Sequence, residues 1–422
     1  MFDPAHDCCT GKGLRHYMDC IEDIHREAHA LTPVELPLSS CIGQSLATDV
    51  RAPISLPSFD NSAMDGFAFK ADTVAAADTD HPVYLPVIGA SIAGDTAEQP
   101  AVPSGYAVKI MTGAPMPEGT DTVLPVEAAS WESEQLKFHA PYPKGRHVRL
   151  IGQDVAEGNL VLKSGIPVSC QHLPLLSALG LSRLLVRPKP TVAWISTGQE
   201  ICDDFDKPLP SGHIYNATRL FGEAMAQDMG FDLQSAITVR DTAEDFAAAL
   251  KEAQSASPQI ILSTGGVSAG QYDFVKPVIE DMSATIIFHK ARIKPAKPAL
   301  FARLPNGSYF FGLPGNPIST ALALRAFVYP FVRALSGQKP EPMRVARLTA
   351  DVRADSGKTV FLMGKVRSSD SGLLLATPNT RQQSFQTAPF AESNSWLLVP
   401  EGISELSAGD QIHCLPFSPT GL

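Results

Sequence analysis

Within this chain, Ser263-Thr264-Gly265-Gly266-Val267-Ser268-Ala269-Gly270 places the tightest limits on the fold. It follows the short apolar run Ile260-Ile261-Leu262 and leads into a stretch from Tyr272 to Met282 with Phe274, Val278 and Ile279 at helical spacing. A strand passing through a glycine-rich turn into a helix is the unit of an open α/β sheet. Such a turn aims free backbone N–H groups and the positive end of the helix at one point, which suits a phosphate. Glycine supplies the positive φ and lets an anion approach closely. The same pattern also serves as an ordinary connection between strand and helix, so taken alone the turn leaves both readings open.

The surrounding rhythm extends the α/β reading from Thr191 onward. Strands are predicted at Thr191–Ile195, Ser235–Val239 and Pro258–Leu262. Helices are predicted at Ala217–Met229, stopped by Gly230, and from Thr242, with Asp245 as capping-box partner. Pro305-Asn306-Gly307 reads as a hairpin turn between Ala299–Leu304 and Ser308–Leu313, and a long helix from Pro317 to Leu335 closes the unit. The alternation implies a mostly parallel sheet with helices on both faces. Before it, residues 13–31 carry apolar positions at helical spacing, and from Pro33 to Pro190 short β-branched runs broken by Pro, Gly and Asp suggest one or two β-rich modules. After Gly337-Gln338-Lys339-Pro340, runs such as Trp396-Leu397-Leu398-Val399 suggest a small β-barrel.

At 422 residues there is room for about two to four domains. The net charge of −10 argues against nonspecific nucleic-acid binding. No apolar run approaches the roughly 18 residues of a membrane span, and the polar start lacks a signal-peptide core, so a cytoplasmic protein is expected. Seven cysteines without a CxxC pair make a structural zinc site a poor fit, and Cys8-Cys9 read as incidental thiols.

Three strand-to-turn junctions carry unusual residues: Ser196-Thr197-Gly198-Gln199-Glu200, the opening motif, and Gly312-Leu313-Pro314-Gly315-Asn316-Pro317. If their strands are parallel, all three turns share the C-terminal edge of the sheet, where open α/β sheets bind ligands. Lys290, Lys294 and Lys297 lie nearby in an extended, proline-stiffened segment and suit an oxyanion. Glu200, Asp241 and Asp273 are expected around the same loops. Carboxylates beside a phosphate repel it unless a divalent cation bridges them, which makes Mg²⁺ the natural candidate. Asp241 in a turn and Asp273 as a helix cap are the structural alternatives.

Two further compact turns occur in the N-terminal half, Phe59-Asp60-Asn61-Ser62-Ala63-Met64-Asp65-Gly66 and Met111-Thr112-Gly113-Ala114-Pro115. With Gly265-Gly266-Val267-Ser268, Lys294-Pro295-Ala296-Lys297-Pro298 and Gly312-Leu313-Pro314-Gly315-Asn316-Pro317, in this order from about residue 12 to 418, they resemble the molybdopterin molybdenumtransferases. That family includes bacterial MoeA and the E domains of gephyrin and its plant counterpart. The resemblance implies a multidomain α/β plus β protein. Its parts would be a discontinuous linker module at 8–50 and 153–189, an inserted β-rich module at 51–152, a three-layer α/β molybdopterin-binding domain at 190–337, and a C-terminal β-barrel at 338–422. It implies insertion of molybdate into adenylylated molybdopterin with Mg²⁺-dependent release of AMP. Asp60, Asp154, Asp241, Asp273, Lys290 and Lys294 would be catalytic. Thr112, Thr197, Gly198, Gly265, Gly266, Val267, Ser268, Pro314, Gly315, Asn316, Pro317 and Ser319 would bind the pterin nucleotide. Glu200, Asp241 and Asp273 would hold the metal. It further implies a homodimer whose pocket is shared between subunits, and contacts with the molybdopterin adenylyltransferase and molybdoenzyme targets.

Several positions depart from the family pattern. Gln199 precedes Glu200 where an acidic residue or asparagine is usual, and Arg149-Leu150-Ile151-Gly152-Gln153-Asp154 lacks the arginine-rich run. Gly357-Lys358 and Phe361-Leu362-Met363 stand where Gly-Arg and Phe-x-Arg are usual, and the family's C-terminal serine pattern appears as Gln383-Ser384, Thr387-Ala388 and Ser393-Asn394. The arginine replaced by Met363 would remove a fixed cation for an oxyanion. Two other functions therefore stay in view: a divergent paralogue that binds pterin or a partner with little insertion activity, and an adenylyltransferase.

Overall fold

The computed structural model describes residues 14–94, 101–267 and 273–419; Cys8, Cys9, Ser268 and the predicted helix start at Tyr272 lie outside them. The α/β region is built on a six-stranded sheet with the spatial order Asp232–Val239, Thr191–Thr197, Ile260–Thr264, Tyr309–Leu313, Leu300–Arg303, Thr285–His289. The first four strands are parallel; Leu300–Arg303 runs antiparallel to both its neighbours and is joined to Tyr309–Leu313 by the predicted Pro305-Asn306-Gly307 hairpin. Parallel strands covered on both faces read as continuous apolar runs, as Ile260-Ile261-Leu262 does.

Alternate strand residues serve opposite layers. Val192, Trp194 and Leu262 pack with Met225, Met229, Phe327 and Phe331, whereas Ala193, Ile195 and Ile261 pack with Phe246, Leu250, Val275 and Ile279. The helices Ala217–Met229 and Pro317–Leu335 therefore cover one face, and Ala243–Ser255 and Val275–Asp281 the other. Ala217–Met229 has the predicted bounds. Asn216 caps it by accepting from the Arg219 N–H at 3.1 Å, and Gly230 ends it at φ 75°. Thr242 caps the next helix, but the Asp245 carboxylate turns to Arg240 at 2.7 Å, so only half of the capping box forms.

The helix from Pro317 to Leu335 widens to a π-helical segment at Leu324–Val328 before Pro330, which has no N–H to continue an α-helical ladder. Although no unbroken apolar run is expected to reach the length of a membrane span, this helix is long and apolar enough for one, but 83% of its apolar window is buried in the core. The last helix of the opening motif is shorter than expected. It runs from Val275 to Asp281, with Asp273 and Phe274 ahead of it. The N-terminal helix is also shorter, Tyr17–Glu27. Arg15 and His16 pair as a strand with Ala291 and Arg292 instead, and the chain turns extended at Ala28.

Five strands close the C-terminal barrel: Thr359–Ser368, Leu374–Pro378, Arg344–Leu348, Gln411–Pro416 and Ser395–Val399, which pairs back onto the first. The strand Ala291–Lys294 adds to this sheet, with Lys294 opposite Val360. The lysine-bearing segment thus belongs to the seam between the α/β region and the barrel. In the N-terminal half, Val34–Pro37, Ser45–Leu46 and Arg183–Arg187 form a small sheet over Cys41, Leu46, Val168 and Leu176. A separate six-stranded sheet at 66–138 carries the Asp60 and Thr112 turns at its margin.

Candidate active site

Because Thr191–Thr197, Ile260–Thr264 and Tyr309–Leu313 are adjacent and parallel, their three turns emerge side by side at one edge. They are bolted together: the Gly265 N–H donates to the Leu313 carbonyl at 3.0 Å and the Thr197 hydroxyl to the Thr264 carbonyl at 3.1 Å. Gly265 has φ 93°, and a methyl group there would sit 2.4 Å from the Thr197 hydroxyl. Only glycine fits such a position.

A cleft of about 650 Å³ opens over these turns. Its floor holds Thr197, Gly265, Gly266, Val267, Pro314, Gly315, Asn316, Pro317 and Ser319, all expected from the sequence. Glu200 and Asp241 line it as well, whereas Gly198 lines a neighbouring hollow with Gln199 and Arg240. One carboxylate oxygen of Asp241 is buried without a hydrogen-bond partner, the state of a ligand atom awaiting a cation or a donor. Tyr215, Asn216 and Phe385 complete the walls. No local sequence signal marks Tyr215 or Phe385, since they reach the cleft only through the fold.

A second cleft of about 550 Å³ runs along the seam and shares Pro298 and Ser319 with the first. Lys294, Lys297, Arg353 and Lys358 line it, with Asp355 bound to Lys358 at 2.6 Å. The chain of Gln382, Gln383 and Ser384 forms its edge, and Ser384 is tied to Asn316 and Ile318 at the start of the Pro317–Leu335 helix. Met363 lies instead in the apolar cluster with Phe361 and Trp396, and Gln382 bonds both its N–H and its carbonyl. Its departure from the family pattern falls on a core-facing side chain here, while Lys358 still brings a cation to the cleft.

Asp273, like Asp241, has one carboxylate oxygen buried without a hydrogen-bond partner. Contrary to expectation, it does not line the cleft with Glu200 and Asp241, and among the described residues no three His, Cys, Asp or Glu side chains are grouped to hold a metal. Burial pushes its carboxyl above the usual carboxylate range, and Lys290 and Lys276 draw it part of the way back. Lys276 lies on the helix that follows it, and Lys290 directly follows the edge strand Thr285–His289. Burial also drives the neighbouring His289 ring down to about 4, aided by the same two lysines. Lys290 itself adopts φ 67°, a strained left-handed turn for a residue with a side chain.

Asp60, Thr112 and Asp154 are exposed on the N-terminal half, and none lines either cleft. Asp60 accepts the Ile151 N–H at 2.7 Å, and Asp65 accepts both the N–H and the hydroxyl of Thr112, at 2.7 and 2.8 Å. These bonds hold the Asp65 carboxyl below its usual range. Exposed Phe59, Met64, Met111, Leu150 and Ile151 surround them.

An open α/β layer with a three-turn cleft, joined to a small barrel along a cationic seam and preceded by β-rich modules, defines a multidomain protein of the molybdopterin-binding class. Family models agree along nearly the whole chain: the MoeA N-terminal region (domains I and II) at residues 16–180, a probable molybdopterin-binding domain at 193–334, and the MoeA C-terminal region (domain IV) at 345–417. The chain is 35% identical over 379 residues to the molybdopterin molybdenumtransferase of Synechococcus elongatus, covering 90% of this chain and 93% of that one. It is 33% identical to the enzyme of that name from Haemophilus influenzae, covering 91% and 93%. A crystal structure of the molybdopterin biosynthesis MoeA protein from Pyrococcus horikoshii superposes with a TM-score of 0.83 at 27% identity, covering 96% of this chain and 99% of that one. The chain belongs to the molybdopterin molybdenumtransferase family.

Proposed function

We propose that the protein is a transferase of molybdenum cofactor biosynthesis that inserts molybdate into adenylylated molybdopterin and releases AMP. The observation that carries this reading is the pair of adjoining clefts, one lined by carboxylates and the other by cations. With the Gly198 and Gly265 N–H groups bonded to Val239 and Leu313, the remaining N–H groups of the turns would receive a phosphate, while Glu200 and Asp241 would repel it. At an effective dielectric constant of 20 a like-charge pair 4 Å apart is unfavourable by about 4 kcal/mol. A divalent cation resolves the conflict. Glu200 and Asp241 supply hard oxygen donors of the kind Mg²⁺ prefers, and the orphaned Asp241 oxygen fits that role. Bound there, Mg²⁺ would supply neutralisation of the phosphoanhydride charge. Molybdate, itself a dianion, would be drawn to Lys294, Lys297, Arg353 and Lys358 in the cleft that adjoins the first at Pro298 and Ser319. Cleavage of the phosphoanhydride by water would leave one phosphate on the pterin and one on the departing AMP.

The exposed Asp60 and Thr112 turns and their apolar surround support a homodimer, in which they would reach the cleft of the other subunit. Contacts with an adenylyltransferase and with molybdoenzyme targets, and a cytoplasmic location, belong to the same proposal. Incubation of the purified protein with adenylylated molybdopterin, Mg²⁺ and molybdate should release AMP in a molybdate-dependent manner. Tight nucleotide binding without that turnover would instead establish the divergent paralogue, and ATP consumption with free molybdopterin an adenylyltransferase.

A further inference from the structure

Two aromatic side chains line the carboxylate cleft from separate parts of the fold, and neither has a role in the reading above. Tyr215 comes from the short strand Ile214–Tyr215 just ahead of the Asn216 helix cap. Its hydroxyl donates to the Lys207 carbonyl at 2.7 Å, and Phe205 stacks on its ring at 5.5 Å and 29°. The ring is therefore held before any ligand arrives. Phe385 comes from the barrel side. Its backbone neighbours are pinned, Ser384 to Asn316 and Ile318, and the Gln386 N–H to the Gln383 carbonyl at 3.0 Å. Yet Phe385 is 67% exposed, the highest value for a large apolar residue among the described residues. A fixed backbone presenting an unpacked ring beside a polar cleft is arranged for an apolar contact that the free protein lacks.

We propose that Tyr215 and Phe385 are specificity-determining walls that receive a planar heteroaromatic ring of the substrate, while the Gly265–Gly266 turn receives its phosphate. This rests on the reading of the cleft as a pterin-nucleotide site. The substrate carries two such rings, adenine and pterin, and stacking on an aromatic side chain is tolerant of which ring it meets.

The test is binding of AMP, of molybdopterin and of ribose 5-phosphate, which has a phosphate but no ring, to wild type, Phe385→Ala, Phe385→Trp and Tyr215→Ala. Phe385→Ala should weaken AMP, molybdopterin, or both, by about tenfold, Phe385→Trp should restore that affinity, and ribose 5-phosphate should bind equally to all. Which ligand responds tells adenine from pterin. Unchanged affinity for both ring ligands in Phe385→Ala and Tyr215→Ala would overturn the proposal. So would an equal loss for ribose 5-phosphate, or conversion to a monomer by Phe385→Ala, which would make that ring a subunit contact. If wild type binds none of the three ligands and releases no AMP, the pterin-nucleotide reading itself fails.

Discussion

The two clefts share a wall at Pro298 and Ser319 but differ in charge and in construction. The carboxylate cleft is made by the ends of three parallel strands, and its floor is locked by main-chain bonds and a glycine that no other residue can replace. The cationic cleft is made by a seam, where the strand Ala291–Lys294 of the α/β region pairs with the barrel strand Thr359–Ser368. A site on rigid strand ends holds its groups through the sheet itself. A site on a seam depends on two units staying docked, and its long Lys and Arg side chains tolerate more variation. The departure from the family pattern at Lys358 falls on the seam cleft and that at Met363 on the core beside it, while the strand-end motifs depart only at Gln199, which lines the neighbouring hollow.

Breaking the floor should have the largest effect. Gly265→Ala forces a methyl group against Thr197 at a positive φ, and should destabilise the protein by about 3 kcal/mol, read from its denaturant midpoint. Asp241→Asn should leave that midpoint within about 0.5 kcal/mol and reduce Mg²⁺-dependent AMP release by about 100-fold. A loss below about threefold would remove Asp241 from the proposed metal set. On the seam, Lys294→Ala should raise the KM for molybdate by about tenfold while AMP affinity stays unchanged. Equal losses for both ligands would mean that the clefts are not functionally separate.

The smallest effect concerns His289, off both clefts. Its folded pKa, about 4, lies below the ordinary 6.5, so the unfolded chain binds the extra proton between those values. Stability should therefore fall as pH drops from about 6.5 to 4. Because the ring is only partly buried, the contribution is about 1–2 kcal/mol rather than the full shift. His289→Gln should flatten that limb in urea titrations at pH 7 and pH 4.5; an unchanged slope would assign it to other groups.

Much of the α/β layer was legible because its signals are local. Apolar runs mark Thr191–Thr197 and Ile260–Thr264, Asn216 and Gly230 bound one helix to the residue, and Pro305-Asn306-Gly307 marks the hairpin. From these, parallel pairing follows as a general property of βαβ units, and with it the convergence of the three turns. The Glu200 and Asp241 pairing could be anticipated because each follows a strand ending at that edge.

What the sequence could not reveal lies in side-chain direction and in contacts between distant segments. Asp273 shares the opening motif, yet its charge neighbours are Lys276 and Lys290 rather than the other carboxylates. Met363 has the position of a family arginine, but strand alternation turns it to the core beside Phe361 and Trp396. Arg353 and Phe385 meet the clefts only because the barrel docks where it does, and Tyr215 only because the loop after Glu200 folds back to the Asn216 helix cap. Local pattern is set by steric and hydrogen-bonding rules within a few residues, so the chain alone determined the strands, the turns and their shared edge. Which charges face each other across a seam depends on packing among residues hundreds of positions apart, and only the tertiary structure decided it.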